Sequence, residues 1–153
     1  MGTLDQIDRL ILRMLQDDSR IRLETLASEI GSSVATVQRR VRSMKDAGVI
    51  SAEVLMVSPE AVELAMTFII LVELERERLD QLDAFRRKVK SEPQVQQCYY
   101  ITGEADFALI ALAKDMQDYQ LLTQRLFFED TNVKRFRTSV VMDRTKVGMT
   151  VPV

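Results

Sequence analysis

Six segments downstream of residue 60 constrain the fold more than any other feature of the sequence. Four of them are short predicted strands, of which the first is apolar and β-branched and the third is apolar throughout, and two carry apolar residues at helical spacing. The predicted strands are Met66–Leu74, Val95–Thr102, Phe107–Ala113 and Val133–Met142, and the predicted helices are Leu79–Val89 and Met116–Phe128. The order strand, helix, strand, strand, helix, strand is that of a ferredoxin-like βαββαβ domain.

This arrangement leaves one face of the sheet without a cover. Both helices would pack on one face, and the alternate apolar residues of the four strands would point to the other. Nothing else in the chain is available to cover that second face, so we expect it to meet another subunit. The sequence therefore predicts a homo-oligomer.

The first 50 residues have a different pattern, which predicts three short amphipathic helices. These helices are expected at residues 4–16, 23–30 and 34–47. Thr3 and Gln6 have the spacing of a capping box for the first helix. Gly31 stands where a left-handed residue would end the second helix, and Ser33 can cap the third.

The third helix has a face suited to contact with DNA. Two short helices joined by a glycine-containing turn, the second with a small, polar and cationic face, match a helix-turn-helix motif. Arginine can bind guanine or phosphate, and small side chains let the backbone approach the duplex. The residues predicted to contact double-stranded DNA are Ser33, Ala35, Thr36, Gln38, Arg39, Arg40 and Arg42. The alternative is a solvated helix face with no partner.

The two halves are joined by a segment of about ten residues. Val49 to Val57 is mostly apolar and β-branched and is followed by Ser58 and Pro59, which predicts a strand and then a hinge. The expected organisation is a helix-turn-helix domain at 1–50, a strand and hinge at 51–60 and a ferredoxin-like domain at 61–153. The fold class is α+β.

The absence of histidine excludes several kinds of site. The chain has no histidine and a single cysteine, so it lacks the commonest general base and the usual zinc ligands. We expect neither enzymatic activity nor a metal or cofactor. Cys98 cannot form an internal disulfide and is expected to be a small buried hydrophobe. The chain shows no apolar run of membrane-spanning length and no signal-peptide pattern, which indicates a cytoplasmic protein with no membrane partner.

Four separated segments resemble the Lrp/AsnC family of regulators, and the likeness covers nearly the whole chain. Two lie in the predicted helix-turn-helix domain: LDQIDRLILRMLQDDSR at residues 4–20 and LASEIGSSVATVQRRVRSMKDAGVI at 26–50. The other two are ITGEADFAL at 101–109 and TSVVMDRTK at 138–146. The chain departs from the family pattern at Arg22, where a small capping residue is usual, and at Glu63, where a glycine is usual.

The resemblance implies a feast/famine transcription regulator that responds to an amino acid or a related metabolite. It implies dimers built on the C-terminal domains, often four dimers in a ring. By similarity, the effector would bind between dimers, near a loop and the adjacent strand. The implied effector-binding residues are Thr102, Gly103, Glu104, Ala105, Asp106 and Thr138.

The chemistry of this loop suits an amino acid. Gly103 permits a positive φ, exposed N–H groups can receive a carboxylate, and Asp106 can pair with an ammonium group. Alternatively, Gly103 makes a hairpin turn and Asp106 binds the backbone of that turn. Two other functions stay open at this point: a metabolite-binding or enzymatic module whose first 60 residues only mediate assembly, and an architectural protein that wraps DNA without sensing a ligand.

Overall fold

The computed structural model describes residues 3–153, which divide into two compact units. The helical unit contains the chain up to Met56 together with Lys146–Val153, and the sheet unit contains Val57–Thr145. The organisation thus differs from the expected one at the C-terminal end. Residues 146–153, which we assigned to the ferredoxin-like domain, group with the helices instead.

The helical unit contains α1 (Gln6–Asp17), α2 (Leu23–Glu29) and α3 (Val34–Asp46). Its core is formed by the apolar stripes of these helices, as the spacing predicts. The fully or nearly buried members are Ile11, Leu12, Leu26, Ala27, Val37 and Met44. Gly31 and Gly48 follow α2 and α3 with φ of 63° and 71°, a conformation that glycine adopts without steric cost.

The start of α1 differs from the prediction. The capping residue is Asp5, whose carboxylate accepts the N–H of Asp8 at 2.8 Å, while the carboxylate of Asp8 accepts the N–H of Asp5 at 3.2 Å. The capping box predicted for Thr3 and Gln6 is therefore wrong. The aspartates have the same three-residue spacing, and their charge favours the positive end of the helix.

The sheet unit has the predicted element order. It contains β1 (Met66–Leu74), α4 (Leu79–Ser91), β2 (Val95–Tyr100), β3 (Phe107–Ala113), α5 (Met116–Thr123), a π-helical turn (Gln124–Phe128) and β4 (Val133–Val140). The strands pair antiparallel in the order β2-β3-β1-β4. This is the ferredoxin-like topology, so the predicted fold class is confirmed.

Both helices cover the same face of this sheet. Phe68 and Ile70 of β1 are completely buried in one cluster with side chains of α4 and α5, including Phe85 and Leu122. The alternate residues point to the opposite face, where Ile69 of β1 is 42% exposed. An exposed isoleucine in the middle of a central strand is what an open sheet face predicts.

The strand predicted in the linker does not form. Residues 51–58 have no regular structure, and Val54 and Leu55 are 70% and 86% exposed. The sequence has strand character, but a strand also needs a neighbour for its backbone hydrogen bonds. Among residues 3–153 no other segment pairs with it.

Two further residues of the sheet unit stand out. Glu63, after a short 3₁₀ turn at Glu60–Val62, has φ 64° and ψ 17°; this is the left-handed region that favours the glycine of the family pattern. Cys98 is exposed on the edge strand β2, so the expectation that it is buried is wrong. Within residues 3–153, no helix combines the length and hydropathy needed to span a bilayer.

Candidate DNA-contact surface and effector loop

The exposed side of α3 is cationic. Ala35, Gln38, Arg39 and Arg42 are exposed there. Within the described chain, Arg39 has no ion pair, and Arg42 lies 3.9 Å from Asp46 with both side chains largely exposed. Such a solvent-exposed pair contributes little free energy. Both guanidinium groups are therefore available to an external polyanion. We call the exposed residues 35, 38, 39 and 42 the α3 face.

Ser33 and Thr36 begin this helix and bind each other. The Ser33 hydroxyl accepts the N–H of Thr36 at 3.2 Å and donates to the Thr36 hydroxyl at 2.9 Å. Ser33 is thus the predicted N-cap, which satisfies one of the free amides at the start of α3. Both side chains lie at the end of the helix that enters the groove in helix-turn-helix proteins.

Arg40 does not belong to the α3 face. Its Nη1 atom lies 2.8 Å from carboxylate oxygens of both Asp5 and Asp8, and its side chain is only 26% exposed. The guanidinium joins α3 to the start of α1, so these carboxylates compete with any contact of Arg40 with DNA. The structure gives Arg40 a structural role, and the DNA contact predicted at Arg40 stays a prediction. The helical spacing already placed Arg40 on the flank of the apolar stripe, but it could not identify its partners.

The Arg40 ion pairs make the stability of the helical unit depend on pH. The N–H of Asp8 and the guanidinium of Arg40 hold the pKa of Asp5 below its usual value of 3.8. Because the folded-state pKa is lowered, this contribution is present at neutral pH and is lost as the pH falls below about 4. Replacing Arg40 with Met is expected to lower the melting temperature at pH 7 and to flatten its fall between pH 5 and 3. If the melting temperature and its pH dependence do not change, Arg40 does not stabilise the helical unit.

The start of α2 lacks a cap. Arg22 occupies the N-cap position, its side chain makes no capping hydrogen bond, and it is exposed. Replacing Arg22 with Ser is expected to raise the free energy of unfolding by about 1 kcal/mol, since serine can accept an N–H in the first turn. Urea denaturation followed by circular dichroism measures this change. Arg22→Ala, which removes the charge without adding a cap, is the matched control and should not be stabilised.

The predicted effector loop follows β2. Thr102, Gly103 and Glu104 are exposed, and Gly103 has φ 123° with open space where a side chain would begin. Within the described chain, no N–H from Thr102 to Ala105 has a hydrogen-bond partner. The free amides of the exposed residues 102–104 can receive an anionic group. Ala105 is 6% exposed, so little of this residue is accessible to a ligand.

Asp106 is fixed by backbone hydrogen bonds at the base of the loop. Its Oδ2 accepts the N–H of Leu74 at 2.6 Å, and its own N–H donates to the carbonyl of Val72 at 2.9 Å. Asp106 therefore binds backbone, as the alternative interpretation expects, although the backbone of β1 and not that of its own turn. Its Oδ1 makes no hydrogen bond within residues 3–153 and can accept one from a ligand ammonium group.

The two ends of the candidate effector site lie on different faces of the sheet. Arg137 of β4 contacts Glu104 of the loop at 3.2 Å, whereas the hydroxyl of the next residue, Thr138, is hydrogen-bonded to the Tyr119 hydroxyl of α5. Successive strand residues point to opposite faces. Thr138 is thus on the helix side, where Tyr119 stacks on Phe68. No contact in the described chain joins Thr138 to the loop.

Sequence reasoning missed two side chains of this region. Arg137 contacts Glu104, and the phenol of Tyr119 is hydrogen-bonded to the hydroxyl of Thr138; burial raises the pKa of Tyr119 above its usual value. The strand register could have indicated Arg137, because it lies opposite Leu71 on the face turned away from the helices. Among residues 3–153, no group of three or more potential metal ligands is clustered.

Comparison with known proteins gives two family matches that follow the two parts of the chain. Residues 67–151, more than half of the chain, match the Lrp/AsnC ligand binding domain. Residues 4–51 match the winged helix-turn-helix DNA-binding family. The first match includes nearly all of β1, the effector loop, β4 and most of residues 146–153, and the second spans α1 to α3.

Individual proteins are similar over nearly the full length. An uncharacterized HTH-type transcriptional regulator of Sinorhizobium fredii is 43% identical over 98% of this chain and 89% of its own. A leucine-responsive regulatory protein of Rhizobium meliloti is 32% identical over 94% of this chain and 92% of its own. A transcriptional regulator of Neisseria meningitidis, solved as a complex with L-Met, is 29% identical with a TM-score of 0.91, covering 98% of this chain and 97% of its own. The chain belongs to the Lrp/AsnC family of DNA-binding transcriptional regulators.

Proposed function

We propose that the protein binds defined sites in double-stranded DNA through the α3 face and that an amino acid or a related small metabolite controls this binding. The observation that carries the proposal is the α3 face itself. In a helix-turn-helix unit, Arg39 and Arg42 are exposed on the second helix of the motif and are not neutralised by a strong ion pair. The contacts of Arg40 with Asp5 and Asp8 hold α3 on α1, so the cationic face is presented on a rigid support.

The effector half of the proposal rests on the loop at 102–106. Its free amides suit a carboxylate, and the unused Oδ1 of Asp106 suits an ammonium group. Both groups belong to an amino acid. The names of two relatives support the same class of ligand, since one is leucine-responsive and the other was solved with L-Met. The proposal requires no metal, no other cofactor and no catalytic step.

We further propose that the active form is a homo-oligomer, a dimer or a ring of four dimers. Ile69 and Tyr99 are exposed on the sheet face opposite the helices, and the strand-like residues Val54 and Leu55 have no partner in the described chain. A second subunit would cover Ile69 and Tyr99. It could also supply a neighbouring strand for the segment that contains Val54 and Leu55. If the effector binds between subunits, this assembly would also supply the second half of the effector site.

Thermal-shift screening against the twenty L-amino acids tests the sensor half. A ligand that binds only the folded protein stabilises it by about 2.7 kcal/mol at a concentration of 100 Kd, so a positive result is easily measured. We expect at least one amino acid to raise the melting temperature, with L-leucine and L-methionine tested first. The amine of the same side chain without its carboxylate is the matched control. If no amino acid stabilises the protein, it is not an amino-acid sensor.

A further inference from the structure

The last eight residues connect the two units a second time. The chain passes from the helical unit to the sheet unit at Met56–Val57 and returns at Thr145–Lys146. Residues 146–153, which we call the strap, follow β4 after a connection of five residues, 141–145. Because β4 carries Arg137, the partner of Glu104 in the effector loop, the strap is joined through this short connection to a strand that contacts the loop.

The strap is bound to α1 through its main chain. The side-chain amide of Gln16 holds both backbone groups of Val151: its Nε2 donates to the carbonyl at 3.0 Å, and its Oε1 accepts the N–H at 2.7 Å. Arg13 donates from Nη2 to the carbonyl of Val153 at 2.7 Å. A primary amide offers both an acceptor and donors, so Gln16 replaces a neighbouring strand for one residue. Val153 also packs against the helical core.

This attachment is suited to release. All three hydrogen bonds are exposed, and exposed hydrogen bonds exchange with water at small net cost. The strap does not lie flush on the helix, because a cleft of about 550 Å³ is lined by side chains of α1 and by residues 150–153. Val151 is 62% exposed. The docked form of the strap would therefore predominate, but by no more than a bound effector can offset, as a ligand-controlled switch requires.

The root of the strap is anchored in the sheet unit. Arg144, just before the strap, contacts Glu60 at 3.6 Å, and Glu60 also accepts a hydrogen bond from Ser58 at 2.7 Å. Ser58 and Glu60 directly follow the first connection between the units. Both connections therefore leave the sheet unit at one cross-linked place, and the backbone of Val141 is held to Thr67 of β1 at 2.9 Å. The connection from β4 to the strap is therefore held in the sheet unit at two points, Val141 and Arg144.

We propose that residues 146–153 form a releasable strap that binds the Arg13 and Gln16 side of α1 and couples effector occupancy to the affinity of the α3 face for DNA. This inference rests on the proposed function and names the element that would transmit its signal. The effector loop acts on β4 through Glu104 and Arg137. The docked strap then acts on α1, which holds α3 through Asp5, Asp8 and Arg40. The bistable element is the strap, docked or released.

The test compares two double variants of the full-length protein. Arg13→Ala with Gln16→Ala removes the three strap hydrogen bonds. Gln6→Ala with Arg9→Ala is the matched control, because it removes the same residue types from exposed positions of the same helix, whose side chains make no hydrogen bond or ion pair in the described chain. Hydrogen exchange at the amide of Val151 reports docking. Fluorescence anisotropy, with and without L-leucine or L-methionine, reports binding to a DNA site selected from a random pool by the wild-type protein.

We expect the amide of Val151 to be protected in the wild type and the control and to exchange freely in the Arg13/Gln16 variant. In the wild type, the amino acid should change DNA affinity by at least about 5-fold, the lower range of ligand coupling. In the Arg13/Gln16 variant this change should fall below about twofold, with effector binding retained. Fast exchange in the wild type, or an intact amino-acid response in the variant, would overturn the proposal.

Failure of amino-acid sensing is distinguishable from failure of the strap. If neither amino acid affects the wild type and none of the twenty stabilises it in the thermal-shift screen, the sensing half of the proposed function fails. The strap is then judged without ligand: its release in the Arg13/Gln16 variant should still change DNA affinity by about 5-fold or more relative to the control variant. Equal affinities of the two variants, with docking confirmed by hydrogen exchange, would show that the strap does not act on α3.

Discussion

Replacing Arg39 and Arg42 together with alanine is expected to weaken binding to the selected DNA site by about 30- to 20,000-fold. Each arginine that binds a base or phosphate is worth about 1–3 kcal/mol, and each 1.4 kcal/mol is a factor of ten in affinity. Both side chains are exposed on α3 and only Arg42 has an ion pair, a long one. Their removal should therefore leave the fold intact, and mobility shift measures the loss.

The matched control for this double variant removes two positive charges from another helix, α4. Arg87 and Lys90 are exposed on α4 and have no ion pair in the described chain. Arg87→Ala with Lys90→Ala lowers the net charge equally, so it reveals how much of the effect is due to overall charge. If the two double variants bind DNA equally well, and both remain folded by circular dichroism, the α3 face is not the DNA contact.

Replacing Asp106 with asparagine is expected to lower effector affinity by at least about tenfold while the protein keeps its stability. Asparagine retains the oxygen that accepts the N–H of Leu74 but loses the charge that would pair with a ligand ammonium group. Replacing Asp106 with alanine removes both functions. A buried amide left without its acceptor costs about 1–3 kcal/mol, so the alanine variant should lose effector binding and stability together.

The pair of substitutions separates two roles of one side chain. Isothermal titration with the amino acid identified in the thermal-shift screen gives effector affinity, and urea denaturation gives stability. An asparagine variant that binds the amino acid as tightly as the wild type would restrict Asp106 to the support of the loop. That result would favour the interpretation in which the Asp106 carboxylate only accepts a backbone hydrogen bond.

Most of the fold was predictable because its signals are local. The bounds of β1 and β3 agree with the prediction at both ends, since both are apolar runs of strand length bounded by turn residues or charges. Gly31, Gly48 and Ser33 end or cap helices as their residue types require. The cationic side of α3 follows in the same way from helical spacing alone.

What the sequence did not reveal depends on partners that are distant in the chain. Residues 49–57 have strand character but no neighbouring strand, so they stay irregular. Arg40 has the same residue type as Arg39, and only its distance from Asp5 and Asp8 separates the two roles. The attachment of the strap to the helical unit could not be predicted for the same reason: its contacts with Gln16 and Arg13 span some 140 positions.

Measuring the affinity for the selected DNA site by fluorescence anisotropy at increasing salt concentration tests most directly whether α3 enters a duplex. The selected site should bind more tightly than a scrambled duplex of equal length at every salt concentration. The logarithm of its affinity should fall linearly with that of salt, with a slope of about −0.9 per neutralised phosphate. Affinity that does not change with salt, or equal affinity for the two duplexes, would contradict sequence-specific DNA binding by this protein.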